Sequence, residues 1–97
     1  MRELVSVVIP TYKRSDTLLR AVNSVLNQTY ENIEVVIVDD NDPNDEFSIQ
    51  TQQNLRDSLN DKRIRYILQK KHINGAVARN VGIEASNGEY IAFLDDD

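Results

Sequence analysis

Two short runs of β-branched residues constrain this chain more than anything else in it. Leu4-Val-Ser-Val-Val-Ile9 and Ile33-Glu-Val-Val-Ile-Val38 are nearly continuous in apolar character. A strand with one wet face alternates apolar and polar residues. A strand that is apolar at almost every position is covered on both faces, as in a parallel sheet flanked by helices. The stretch between the two runs supplies the cover. Ser15 or Asp16 can cap a helix reaching about Gln28, and Leu18, Leu19, Val22, Val25 and Leu26 fall on one helical stripe.

The alternation continues along the chain. Asn41-Asp-Pro-Asn-Asp45 is a turn-forming, acidic loop. Phe47, Thr51, Leu55 and Leu59 recur at helical spacing and predict a second, less apolar helix. Arg63-Ile-Arg-Tyr-Ile-Leu68 alternates with charge on one face, which predicts a third strand near a sheet edge. Asn74 opens a third helix through Ala76, Val77, Val81 and Ala85, and Gly88 after Asn87 is expected to close it. Tyr90-Ile-Ala-Phe-Leu94 reads as a buried fourth strand. The order β-α-β-α-β-α-β predicts right-handed crossovers and a doubly wound, mainly parallel α/β sheet with helices on both faces. With no internal repeat, low-complexity tract or linker, the 97 residues make one unit at most.

Composition narrows the function. A net charge of −5 without a basic stripe argues against a nucleic-acid groove. The absence of Cys removes disulfides and thiolate metal sites and fits a reducing compartment, so the cytoplasm or the cytoplasmic face of a membrane is expected. No apolar run approaches the ~18 residues of a membrane span, and the first residues lack a signal-peptide pattern.

In open α/β sheets, ligands bind beyond the carboxyl ends of the strands, where strand order reverses. Polar residues gather at such ends: Thr11-Tyr12 after the first strand, Asp39-Asp40 after the second, and Asp95, Asp96 and Asp97 after the fourth. Backbone groups at Pro10 to Tyr12 can approach a ligand closely, and the Tyr12 ring can stack on a nucleobase. Asp40 can accept hydrogen bonds from a base or ribose while Asp39 holds the loop. Arg79, on the first turns of the third helix, has the planar fork suited to a diphosphate or a carboxylate. Successive carboxylates repel one another, and their hard oxygens suit Mg²⁺ or Mn²⁺, ions that also hold substrate phosphates. A folded domain rarely ends on its own metal site, so a further segment is expected after Asp97.

Each residue also has a plainer reading. Asp39-Asp40 can merely end a strand and begin a turn, Tyr12 can be a surface aromatic, and Arg79 can pair with Glu84. The aspartate triplet can be a solvated tail. His72, within Gln69-Lys-Lys-His-Ile73, reads as a surface-loop residue, and Lys62, Arg63, Arg65, Lys70 and Lys71 as a solvated edge. Asn74-Gly75 at a helix start is a weak anion-binding signal. It is the convergence of separate segments on one rim that favours a site.

Taken together and in order, several segments resemble family 2 glycosyltransferases with the GT-A fold. They are Val5-Ser-Val-Val-Ile-Pro-Thr-Tyr12, Leu26-Asn-Gln-Thr-Tyr30, Glu34-Val-Val-Ile-Val-Asp-Asp40, Gly75-Ala-Val-Ala-Arg-Asn80 and Asn87-Gly-Glu-Tyr-Ile-Ala-Phe-Leu-Asp-Asp-Asp97. The resemblance covers essentially the whole chain and implies the nucleotide-sugar-binding half of such an enzyme, most often for a UDP-sugar. It implies that Pro10, Thr11 and Tyr12 surround the base, that Asp40 contacts the uracil ring, and that Arg79 lies near the base or the diphosphate. Of the Asp-x-Asp motif, it implies that Asp95 or Asp96 contacts ribose and that Asp97, with Asp95, binds Mn²⁺ or Mg²⁺. In inverting members a carboxylate base later in the chain deprotonates the acceptor hydroxyl, so residues 1–97 would form the donor part without the base. The chain departs from the family in its acidic Asn41-Asp-Pro-Asn-Asp45 turn, where a Gly-Ser-Thr-like turn is common, and in Lys13-Arg14 after Tyr12.

Other classes fit less well. A receiver-like phosphoacceptor domain places paired acids after its first strand, whereas here they follow the second. A nucleotidyltransferase usually has a Gly-rich loop after the first strand, and Pro10-Thr-Tyr-Lys-Arg-Ser15 contains no glycine. A nucleotide-binding module without catalysis remains open. An exposed edge on the fourth strand would also invite self-association.

Overall fold

A computed structural model describes residues 3–13, 15–28, 30–42, 44–69 and 74–94. Strands β1 (Val5–Thr11), β2 (Ile33–Asp39), β3 (Ile64–Leu68) and β4 (Tyr90–Phe93) alternate with helices α1 (Ser15–Leu26), α2 (Glu46–Asn54) and α3 (Gly75–Ala85). The strands form one parallel sheet in the order β3-β2-β1-β4. This is the doubly wound α/β architecture that the alternation of patterns predicts.

Because side chains alternate across a strand, the register sorts the sheet into two cores. Val7, Ile9, Val35 and Ile37 meet Leu18, Val22 and Val25 of α1, with Leu55 beside them. On the other face Val8, Val36 and Val38 meet Ala78 of α3, flanked by Val81 and Ala85. Every residue of β2 is buried, which explains its unbroken apolar run. Full burial of a side chain such as Leu18 contributes about 1.5–3 kcal/mol. α3 approaches especially closely: a Cβ on Gly82 would lie 2.3 Å from Val8 Cγ1 and 3.3 Å from Val38 Cγ2.

The structure departs from the sequence-based boundaries in informative places. β1 runs beyond the end of the apolar run at Ile9, through Pro10 to Thr11. Val8 O accepts from the Leu94 N–H, so residues of that parity face β4, whereas Thr11 O accepts from Asp40 N–H on the β2 side. Pro10 therefore turns its missing donor towards β4 beyond their paired residues, where no ladder bond is lost.

α2 ends at Asn54, and Leu59 lies exposed on a 3₁₀ turn, Ser58–Asn60, off the expected stripe. α3 ends at Ala85 with Ser86 as its C-cap, so Gly88 does not close it. Gly88 instead lets the chain press against β1: a Cβ there would lie 2.5 Å from Ser6 Oγ and 2.8 Å from Leu4 O. Nor is β4 a buried strand. Tyr90 is 57% and Phe93 50% exposed, and among the described residues β4 pairs with β1 alone, at one edge of the sheet. β3 forms the other edge, as its charged face predicts.

Candidate functional site

The chain moves outward from β1 to β2 to β3, then returns across the sheet to place β4 on the far side of β1. Strand order reverses between β1 and β4, and the crevice at their carboxyl ends is where such a fold receives ligands. Thr11 and Tyr12 line one side of that point. Leu94, whose N–H donates to Val8 O at 3.1 Å, brings the chain to the other.

Thr11 and Asp39 are register partners at the ends of β1 and β2. Asp40 follows immediately, with its N–H donating to Thr11 O at 2.9 Å. Asp40 is 2% exposed and Asp39 fully buried, an arrangement that carboxylates adopt only where other groups hold them.

For Asp39 those groups are visible. Its Oδ1 accepts from Asn41 N–H at 2.9 Å and from Asn41 Nδ2 at 2.8 Å. Its Oδ2 accepts from Ser48 Oγ of α2 at 3.2 Å and from the Tyr66 hydroxyl of β3. Burial, followed by the adjacent Asp39 carboxylate, raises the Tyr66 phenol well above its ordinary value, so it stays a neutral donor.

The hydrogen bonds continue outward. Asn41 Oδ1 accepts from the Lys13 backbone N–H at 2.8 Å, joining the loop after β2 to the loop after β1. Lys13 adopts φ 56°, a left-handed conformation that costs a non-glycine residue about 1–2 kcal/mol. The bond to Asn41 offsets part of that cost and fixes the turn that presents Tyr12. The Tyr12 ring is exposed, with Lys13 Nζ 5.2 Å from its centroid.

α3 starts from the same rim, since it follows the carboxyl end of β3. Asn74 caps it by accepting from Val77 N–H at 2.9 Å. Arg79 is exposed, and its guanidinium folds back over the first turn, with Nη2 3.8 Å from the position a Cβ on Gly75 would take.

The structure thus brings Pro10, Thr11, Asp39 and Asp40 together at adjacent strand ends, with Tyr12 beside them. Arg79 occupies the start of the helix that leaves this rim. Asp95, Asp96 and Asp97 lie outside the described residues, as does His72. Among the described residues no group of acidic or histidine side chains is placed to hold a metal ion. Sequence reasoning missed Asn41, Ser48 and Tyr66 as members of the site. The available signal was parity: Ile37 pairs with Tyr66 and Asp39 with Leu68, so Tyr66 and Asp39 emerge on the same face.

Comparison with known proteins agrees with this architecture. Residues 6–97 match the family described as Glycosyl transferase family 2. The chain belongs to that family. An uncharacterized glycosyltransferase of Rickettsia bellii is 44% identical over 93 residues, which is 96% of this chain and 13% of the relative. The structure of S. aureus TarS 1-349 in complex with UDP superposes with a TM-score of 0.81 at 29% identity, covering 96% of this chain and 27% of that one.

The mannosyltransferase PcManGT from Pyrobaculum calidifontis, in complex with GDP-Man and Mn²⁺, superposes with a TM-score of 0.83 at 22% identity, covering 100% of this chain and 28% of that one; at that identity it speaks for the fold alone. This family 2 chain spans from 13% to 36% of the length of curated relatives it matches. No helix among its described residues is long and apolar enough to cross a membrane.

Proposed function

We propose that residues 1–97 form the donor-binding part of a glycosyltransferase that takes a nucleoside-diphosphate sugar, with UDP-sugars favoured, and passes the sugar to an acceptor hydroxyl. One observation carries the reading: Asp39 is consumed by internal hydrogen bonds, which fixes its neighbour Asp40 beside Thr11, at the end of the strand that borders the switch point of the sheet. In this reading Pro10, Thr11 and Tyr12 border the base, Asp40 accepts from it, and Arg79 faces the diphosphate. The UDP complex of S. aureus TarS, which shares the fold at 29% identity, supports the choice of nucleotide.

Asp95, Asp96 and Asp97 follow Leu94 directly and offer an all-oxygen donor set of the kind Mn²⁺ and Mg²⁺ take. Asp95 and Asp97 would hold the ion, and Asp95 or Asp96 the ribose. When bound, the ion neutralises charge on the departing diphosphate. The base that removes the acceptor proton is assigned outside these residues, so the chain alone is expected to bind donor without transferring sugar.

Calorimetry with UDP, GDP and CDP, with and without Mn²⁺, tests this. UDP should bind, Mn²⁺ should strengthen it, and Asp97→Ala should remove most of the metal-dependent gain. A folded chain, or a longer one containing it, that binds none of these nucleotides overturns the reading.

A further inference from the structure

At the amino-terminal end of the sheet, opposite the candidate site, one buried carboxylate gathers contacts from three other parts of the chain. Glu34 of β2 is 8% exposed. Its Oε2 accepts from Ser6 Oγ of β1 at 2.5 Å and from Asn87 N–H at 2.6 Å. Its Oε1 accepts from Asn87 Nδ2 at 3.4 Å and lies 3.8 Å from Arg65 Nη1 of β3, which also donates to the Ala85 carbonyl at the end of α3. Ser6 Oγ in turn accepts from Gly88 N–H at 2.8 Å. A hydroxyl has one proton. Ser6 gives it to Glu34, so a lone pair is left aimed at Gly88.

This cluster sits where β4 begins, and β4 needs it. Strand register is normally enforced by burial, because a one-residue slip carries the apolar set to the wrong face. All four residues of β4 are exposed, and among the described residues the strand pairs on one side only. A two-residue slip would leave its face pattern unchanged and shift it by about 6.6 Å along β1. The polar contacts at Asn87 and Gly88 prevent that slip, helped by the Glu89 N–H donating to Leu4 O at 2.9 Å. Gly88 approaches β1 too closely for a neighbouring residue with a Cβ to take its place.

We propose that Glu34 is a positioning residue which, through Ser6, Asn87 and Gly88, sets the register of β4 on β1 and so fixes where Leu94, the residue before the aspartates in the sequence, lies relative to Thr11 and Tyr12. The consequence for the metal site rests on the donor-binding reading; the register itself does not.

The test compares Glu34→Ala, Glu34→Gln and Ser6→Ala in the 97-residue chain. NMR reads register directly, through cross-strand contacts between Val7 and Ala92 and through exchange protection of the Leu94 amide. Glu34→Ala should lose the Val7–Ala92 contact and at least tenfold of the Leu94 protection, while the Val7–Val35 contact of β1 with β2 persists. The strengthening of UDP binding by Mn²⁺ should fall at least fivefold, with metal-free UDP affinity within twofold of the parent.

Glu34→Gln, which keeps an acceptor for Asn87, should restore both readouts. Should Glu34→Ala not fold, Ser6→Ala, which removes only the hydroxyl relay, carries the same expectations. An unchanged register in a folded Glu34→Ala or Ser6→Ala chain overturns the proposal. So does a parallel loss of protection across β1 and β2, which would make the cluster a general support of the fold. A parent chain without Mn²⁺-dependent UDP binding would overturn the donor reading, and the NMR readout would still decide the register.

Discussion

Asp39 shows how a carboxylate at a binding rim can serve the scaffold instead of the ligand. Four donors from Asn41, Ser48 and Tyr66 converge on it, so its charge is spent inside the fold. Tyr66→Phe removes one of these and should cost about 1–2 kcal/mol in chemical denaturation at neutral pH. The phenol's value is raised in the folded state. Its contribution is therefore whole below the ordinary value of 10.0 and declines as pH rises from there towards the folded value, so the gap between parent and variant should narrow in alkaline denaturation.

Glu34 works in the opposite direction. Burial alone would raise its value, but the hydrogen bonds from Ser6 and Asn87, aided by Arg65, outweigh burial and hold it below the ordinary 4.5. Its stabilisation is present above 4.5 and lost as pH falls through the lowered folded value. Glu34→Gln should thus be less stable than the parent at pH 7 and approach it in acid. A difference that stayed constant from pH 7 into the acid range would refute that assignment.

At the level of elements, what the sequence revealed depended on whether the controlling contact was local. β1, β2 and α1 were legible because their apolar patterns report burial directly, as with Leu18, Val22 and Val25 on a single stripe. α2 was legible only as a helix, since Ser48 and Thr51 are its buried residues and no apolar stripe marks its end. Gly88 looked like a helix stop because its partners, Ser6 and Leu4, lie at the far end of the chain. The site divides in the same way. Thr11 and Asp40 stand out as polar residues closing apolar strands, whereas Tyr66 joins them only through sheet register.

Gly82 tests the close packing of α3. In an open helix position Gly→Ala gains up to about 1 kcal/mol. At Gly82 the new methyl would meet Val8, itself fully buried and unable to move aside. Gly82→Ala should therefore lose about 1–2 kcal/mol net by urea denaturation. Gly75→Ala, whose nearest neighbour is an Arg79 nitrogen at 3.8 Å, should lose nothing beyond error.

For the whole molecule, the two edges of the sheet are unequal. β3 carries Arg65, which is committed to Glu34 and Ala85, and charge of this kind discourages pairing with another chain. β4 presents Tyr90, Ile91 and Phe93 to solvent along an outer edge that no described strand covers. Beside it, Val7, Val25, Tyr30, Phe93 and Leu94 line an open apolar groove. A parallel edge of this composition is a template for another strand, and the net charge of −5 gives only modest repulsion at physiological salt.

The chain is accordingly expected to self-associate as its concentration rises, with sedimentation velocity showing a growing dimer fraction. Phe93→Lys places a charge on that edge at the register partner of Val8, away from Ile91, which pairs with Ser6, and should shift the dissociation constant upward by at least tenfold. Arg65→Lys, on the opposite edge, should leave association unchanged. Equal weakening by both substitutions would mean that the copies meet through some other surface, and a monomer at every concentration would mean that this edge is closed in solution.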